Sequence, residues 1–132
     1  MDLANAEKAL AAQPFSVLIG ARVTHFADGV AELAVPLGER LHQQHGAAHG
    51  GLLSYAADNA ITFAAGSVVG DSVLTVEMKI NYLRAARGEE IRARAEVVHA
   101  GSSLVVACCE ITDWTGDERR LCAIAQGTIA HR

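Results

Sequence analysis

From residue 74 onward the chain alternates, with Leu74, Val76, Met78, Ile80 and Tyr82 separated by Thr75, Glu77, Lys79 and Asn81. This period of two predicts a half-buried strand with one face toward a core. The pattern returns in Ile91, Ala93, Ala95 and Val97, interleaved with Arg92, Arg94 and Glu96, and two apolar-rich runs follow, Leu104 to Ile111 and Leu121 to Ile129. Turn signals at Ala100-Gly101 and Thr115-Gly116-Asp117 divide them, so four strands joined by short turns predict an antiparallel meander. Upstream, Val17 to Phe26 and Val30 to Pro36 flank Asp28-Gly29, which predicts a hairpin. Residues 1–15 read as a short amphipathic helix.

Between hairpin and meander lie two segments of another kind. Gly38 to Ala48 has no periodicity and forms a loop. Gly50 to Gly66 is Leu, Ala, Ile and Phe almost throughout, which predicts about four turns of helix enclosed on most sides. The order of helix, hairpin, loop, apolar helix and four strands is an α+β pattern, one curved antiparallel sheet wrapped around one long central helix. The sheet's second face carries many charges, interrupted by Val98, Val105 and Cys109, and association through strand edges or helices is expected.

Asp58 is the carboxylate of the apolar helix. Such a group is costly to enclose unless it has a partner, and acids in this setting are enriched at working sites. Ser54, Asp58 and Thr62 fall on one stripe at i, i+4 and i+8 and should face one cleft, although Ser and Thr on helices also bond their own backbone and Asp58 can cap a neighbouring loop. At the helix start, Gly50 and Gly51 offer unpaired N–H groups at the positive end of the dipole, with no Cβ to keep a ligand away. Those donors suit an oxyanion hole for acyl transfer; the same glycines also suit tight helix–sheet packing. Along one helix, eight residues separate Gly50 and Asp58 by about 12 Å, too far for a single carbonyl to touch both. Two such helices packed antiparallel across a two-fold axis would bring Asp58 of one protomer to Gly50 of the other, so a homodimer with two equivalent sites is expected.

His42, His45 and His49 match no closed structural zinc spacing, and His49 is expected to orient the loop or the Gly50 peptide by hydrogen bonding. Cys108, Cys109 and Cys122 lie in predicted strands, where burial favours inert thiols. Phe15, Phe63 and Tyr82 are expected in the core, with a contribution to an acyl pocket as the second reading.

A length of 132 residues suits one domain over 1–132. Eleven basic against 15 acidic residues give no overall attraction to nucleic acid or membranes. The start of the chain lacks the unbroken apolar core of a signal peptide, and three cysteines, two of them adjacent, make a poor disulfide framework. A cytoplasmic protein without a metal or other cofactor is expected.

Gln43-x-x-Gly46-x-x-His49-Gly50-Gly51, followed by Asp58 and by the strand Thr75 to Arg84, resembles the hotdog-fold acyl-CoA thioesterases of the phenylacetate-degradation type, near the 4-hydroxybenzoyl-CoA thioesterase group. The resemblance covers most of the chain. It implies hydrolysis of an acyl-CoA thioester, with the Gly50 N–H polarising the carbonyl and Asp58 of the partner subunit acting as nucleophile or general base. Gln43 then orients the attacking water or touches the thioester, and Thr75 and Thr62 match positions where some relatives place a water-holding hydroxyl. Gly46, Gly51, Ser54, Arg84 and Arg87 are expected on the substrate side, the two arginines toward CoA phosphates. Hotdog relatives imply a homodimer or a tetramer of paired dimers. In two respects the chain departs from them: Asp58 stands where some branches carry Glu, and Arg84 leads into Ala85-Ala86-Arg87 where a proline is common. A binding module for acyl-CoA or an acylated carrier protein remains the alternative; hydration of an enoyl thioester lacks the His and Asp pair it would need.

Overall fold

The computed structural model describes residues 2–132; Met1, within the stretch read as the first helix, lies outside them. Helix α1 (Leu3–Ala11) is capped by Asp2, whose side chain accepts from the Asn5 N–H at 2.9 Å. A second short helix, α2 (Pro14–Ile19), occupies the segment where the hairpin's first strand was expected to begin. Pro14 sits at its start, where its missing N–H is harmless, and Gly20 ends it in the left-handed region at φ 74°. Strand β1 (Arg22–Ala27) is therefore shorter than the apolar pattern implied, and it pairs with β2 (Val30–Pro36) through Asp28 and Gly29, both with positive φ. That is the backbone an Asp-Gly hairpin turn requires.

Helix α3 (Gly50–Val69) runs three residues beyond Gly66 and stops at Gly70. Strands β3 (Val73–Tyr82), β4 (Glu90–Ala100), β5 (Leu104–Thr115) and β6 (Glu118–His131) complete a six-stranded antiparallel sheet in the order β1-β2-β4-β5-β6-β3. The meander is thus β4-β5-β6, and β3 closes the far edge beside β6 instead of lying next to β4. The sheet curves around α3, which buries Leu52, Leu53, Ala56, Ala57, Ala60, Ile61, Ala64 and Ala65 against it. Five alanines in that set let the helix axis come close to the strands.

Strand β3 does not keep the single alternation its sequence suggests. A bulge falls between Thr75 and Glu77, so Val73, Thr75, Met78 and Ile80 are the partly covered positions while Leu74 and Val76 are 73% and 59% exposed. One extra residue in a strand exchanges the faces of everything before it. Likewise Val105 and Cys109 belong to the core face and only Val98 of the three is exposed on the outer one.

The two sheet edges differ. Glu7 of α1 accepts from the Val23 N–H at 2.6 Å and from Arg22 Nε at 3.1 Å, so α1 shields the β1 edge. Nothing in the protomer pairs with the outer edge of β3 among the described residues. An open strand edge is a template for pairing with another chain.

Candidate active site

The loop before α3 and the first turn of that helix form one structured unit. Ala48 N–H donates to Ala86 O at 2.8 Å and His49 N–H to Leu41 O at 2.9 Å, which suspends the loop between the 3₁₀ turn at Glu39–Leu41 and the segment after β3. His49 is the N-cap, and its Nδ1 accepts from the Gly51 N–H at 2.8 Å. The Leu52 N–H is met by the His49 carbonyl at 2.9 Å. Of the helix's first three donors, only the Gly50 N–H is left without a partner among the described residues.

Gln43 folds its side chain inward, with Oε1 accepting from the His45 N–H, and its backbone N–H donates to Ala47 O at 2.8 Å. Gly46, at φ 78°, turns the chain between them, its N–H donating to Gln43 O at 3.2 Å. Gln43 and Gly50 line the same cavity of about 330 Å³, together with Leu53, Tyr82 and Arg84. Tyr82 and Phe15, expected in the core, are 53% and 54% exposed; Phe63 is buried, edge-on to Phe26. The Tyr82 hydroxyl donates to Gly50 O at 3.2 Å and lies 2.6 Å from Ser54 Oγ.

Asp58 is half-buried, less enclosed than an apolar helix implied, because its side of α3 faces the β3 edge. Its Oδ1 accepts from Thr75 Oγ1 at 2.6 Å; Oδ2 has no partner among the described residues. Thr62 Oγ1 donates to the Asp58 carbonyl at 2.8 Å, the back-bond expected of a helical threonine, and stands 3.1 Å from Thr75 Oγ1. Ser54, by contrast, turns its hydroxyl to Tyr82. The protomer thus places the candidate site residues in two groups: Gln43, Gly46, His49, Gly50, Gly51 and Ser54 around the helix start, and Asp58, Thr62 and Thr75 two turns on. Asp58 does not line the cavity that Gln43 and Gly50 share.

Arg84 connects that cavity to a neighbouring one of about 380 Å³, lined also by Arg87, Arg120, Asp113 and Glu118. Arg87 is committed elsewhere in part, since Nη1 donates to His45 O at 2.8 Å. Asp113 of β5 accepts from the Arg87 and Gly88 N–H groups at 3.0 and 2.9 Å, so one carboxylate fixes the turn after β3, and the Arg87 guanidinium ties that turn to the Gln43 loop. A Cβ on Gly88 would fall 2.5 Å from Trp114 O, so the grip needs glycine there. Asp113 and the role of Tyr82 escape sequence reading because their partners lie 25 or more residues away and follow no local period.

Burial pushes the Cys109 thiol up to about 12, with Glu110 and Cys108 adding to it, and the Cys122 thiol up to about 11, with Asp113 adding. Both are inert at neutral pH. Cys108 is exposed on the outer sheet face, not buried as expected. His42, His45 and His49 do not converge, and no group of three or more His, Cys, Asp or Glu suited to a metal ion occurs among the described residues. No helix among them is long and apolar enough to cross a membrane.

Comparison with known proteins identifies the family of this fold. The sequence pattern of the thioesterase superfamily matches residues 45–119, from the Gln43 loop through β5. A 1,4-dihydroxy-2-naphthoyl-CoA hydrolase from Listeria monocytogenes is 33% identical over 85% of this chain and 90% of its own. Among solved structures, a thioesterase family protein from Silicibacter pomeroyi superposes with a TM-score of 0.90 at 37% identity, covering 95% of this chain and 93% of that one. A mutant of the phenylacetic acid degradation protein PaaI from Thermus thermophilus gives a TM-score of 0.81 at 26% identity, covering 91% and 100%. With the curved sheet, the central helix and the matched pattern in agreement, the chain belongs to the thioesterase superfamily and is a hotdog-fold thioester hydrolase.

Proposed function

We propose that this protein hydrolyses an acyl-CoA thioester to the free acid and CoA at two equivalent sites shared between the protomers of a cytoplasmic homodimer, with 1–132 acting as one domain and dimers pairing into a tetramer. The observation that carries the reading is the unpartnered Gly50 N–H at the start of α3, open to a cavity and aimed by a helix dipole. A carbonyl oxygen seated there gains negative charge as the thioester carbon becomes tetrahedral, and a fixed donor stabilises that charge more than the ground state.

Asp58 of the partner subunit supplies the second half. Thr75 holds Oδ1, and Oδ2 is free to attack the carbonyl carbon or to draw the proton from the water that does so. Both routes need the same placement, and a single turnover in ¹⁸O-water separates them by where the label first appears. Within one protomer, Asp58 belongs to a different group from Gly50 and Gln43, which favours a composite site; the exposed β3 edge bearing Leu74 and Val76 beside Thr75 offers a surface for the second copy. Gln43 presents its amide NH₂ to the water or the thioester while Oε1 stays with the His45 N–H. His49, Gly51 and Gly46 shape the loop, and Thr62 backs Thr75. Arg84 and Arg120, with the free part of the Arg87 guanidinium, are suited to CoA phosphates where the two cavities meet.

Thiol release from benzoyl-CoA, 1,4-dihydroxy-2-naphthoyl-CoA and a series of fatty acyl-CoA esters, read with a chromogenic thiol reagent, tests this reading. Turnover of at least one ester is expected. Thermal stabilisation by the esters with no thiol released would instead indicate a module that binds without cleaving.

A further inference from the structure

We propose that Tyr82 is a positioning residue for the reaction, clamping the Gly50–Gly51 peptide so that the neighbouring Gly50 N–H is held toward the cleft. The proposal rests on the hydrolase reading of Gly50 given above. Two successive glycines are the most conformationally permissive step a helix can start with, yet an oxyanion donor works only if it is oriented before charge develops. The structure meets that need from both sides of one peptide plane. The Gly50 carbonyl accepts from the Tyr82 hydroxyl at 3.2 Å, and the Gly51 N–H donates to His49 Nδ1 at 2.8 Å.

The Tyr82 hydroxyl has a single proton. In giving it to Gly50 O it leaves its lone pairs to the Ser54 hydroxyl at 2.6 Å, so Ser54 donates. Ser54 is one turn beyond Gly50, and the pair therefore ties the whole first turn of α3 to the end of β3. The ring is placed for the same purpose. A Cβ built on Gly50 would lie 3.5 Å from Tyr82 Cε1 and Cζ, so the ring rests against the glycine backbone while the residue, 53% exposed, also lines the cavity. A tyrosine kept at this exposure and held by hydrogen bonds to Gly50 O and Ser54 Oγ is not contributing a core side chain.

The test is Tyr82→Phe beside wild type, with kcat and KM measured on benzoyl-CoA and hexanoyl-CoA and the fold followed by thermal unfolding. The ring and its contact are kept and only the clamp is lost, so kcat is expected to fall about tenfold with KM changed by less than about twofold. Ser54→Ala, which keeps the Tyr82–Gly50 bond, should lower kcat by a smaller factor, again without moving KM, and this second variant carries the test should Tyr82→Phe not fold. An unchanged kcat in both variants, or a loss confined to KM, would overturn the positioning role while leaving the hydrolase reading in place. Absence of thiol release from wild type with every ester would overturn both.

Discussion

Replacing Asp58 with Asn is expected to abolish turnover while leaving the protein folded and associated. The reason lies in which atoms change. Thr75 Oγ1 donates to Asp58 Oδ1 at 2.6 Å, and an asparagine carbonyl oxygen at that place accepts the same bond. Thr62 bonds the backbone carbonyl of residue 58 and does not sense the side chain. The free Oδ2, by contrast, becomes an NH₂ group that neither attacks carbon nor takes a proton. Loss of a sole nucleophile or base from an assembled site lowers kcat by about a thousandfold or more. Side by side, urea unfolding should give a midpoint close to wild type and thiol release should give a rate near background. Retained turnover would remove Asp58 from the mechanism.

Gly50→Ala separates stability from activity in the opposite sense. At this position φ is not positive, and the added methyl would meet the Tyr82 ring at 3.5 Å, an ordinary contact. Helix formation favours Ala over Gly, so stability should hold or rise by up to about 1 kcal/mol. The methyl nevertheless occupies space beside the N–H that a carbonyl must enter. Losing effective use of an oxyanion donor lowers kcat by about a hundredfold. Enhanced thermal stability with a collapsed rate is the expected signature, and full activity would argue that the donor lies elsewhere. Gly51→Ala is a different case, because its Cβ would fall 2.9 Å from His49 Nδ1 and displace the cap itself.

The elements whose period is uniform were legible in the chain. Gly50 to Gly66 reads as an enclosed helix because its apolar residues surround it, and Ile91 to Val97 reads as a strand because nothing breaks its alternation. Strand β3 was legible in extent but not in facing, since the bulge at Val76 is a matter of pairing with β6 and leaves no mark in composition. For that reason Thr75, on the polar side of the sequence pattern, turns toward Asp58, while Leu74 and Val76 turn outward. The short α2 was hidden by Val17, Leu18 and Ile19, a run as suitable for a strand as for a helix; Pro14 and Gly20 at its two ends were the available signal. Position of β3 at the sheet edge depends on the crossover of α3 and follows from no local feature.

Of the candidate site residues, the linear motif covers Gln43, Gly46, His49, Gly50 and Gly51, whose contacts are mostly made within the loop itself. Residues that act across the fold were another matter. Tyr82 looked like the last apolar position of a strand, and its partners Ser54 and Gly50 lie about thirty residues earlier. Asp113 belongs to no motif in the chain, yet it holds the turn that carries Arg87. Enclosure of Asp58 was overread because the helix's apolar content says nothing of the open edge it faces.

Mixing two inactive variants tests the shared site most directly. A Gly50→Ala protomer still carries Asp58, and an Asp58→Asn protomer still carries Gly50, so a heterodimer contains one site in which both are intact and one in which both are lost. After denaturation and joint refolding at equal amounts, half the dimers are mixed by chance and each has one working site, so activity should return to about a quarter of wild type. Activity no higher than the two variants show separately would place Gly50 and Asp58 of each site on the same chain and contradict the account.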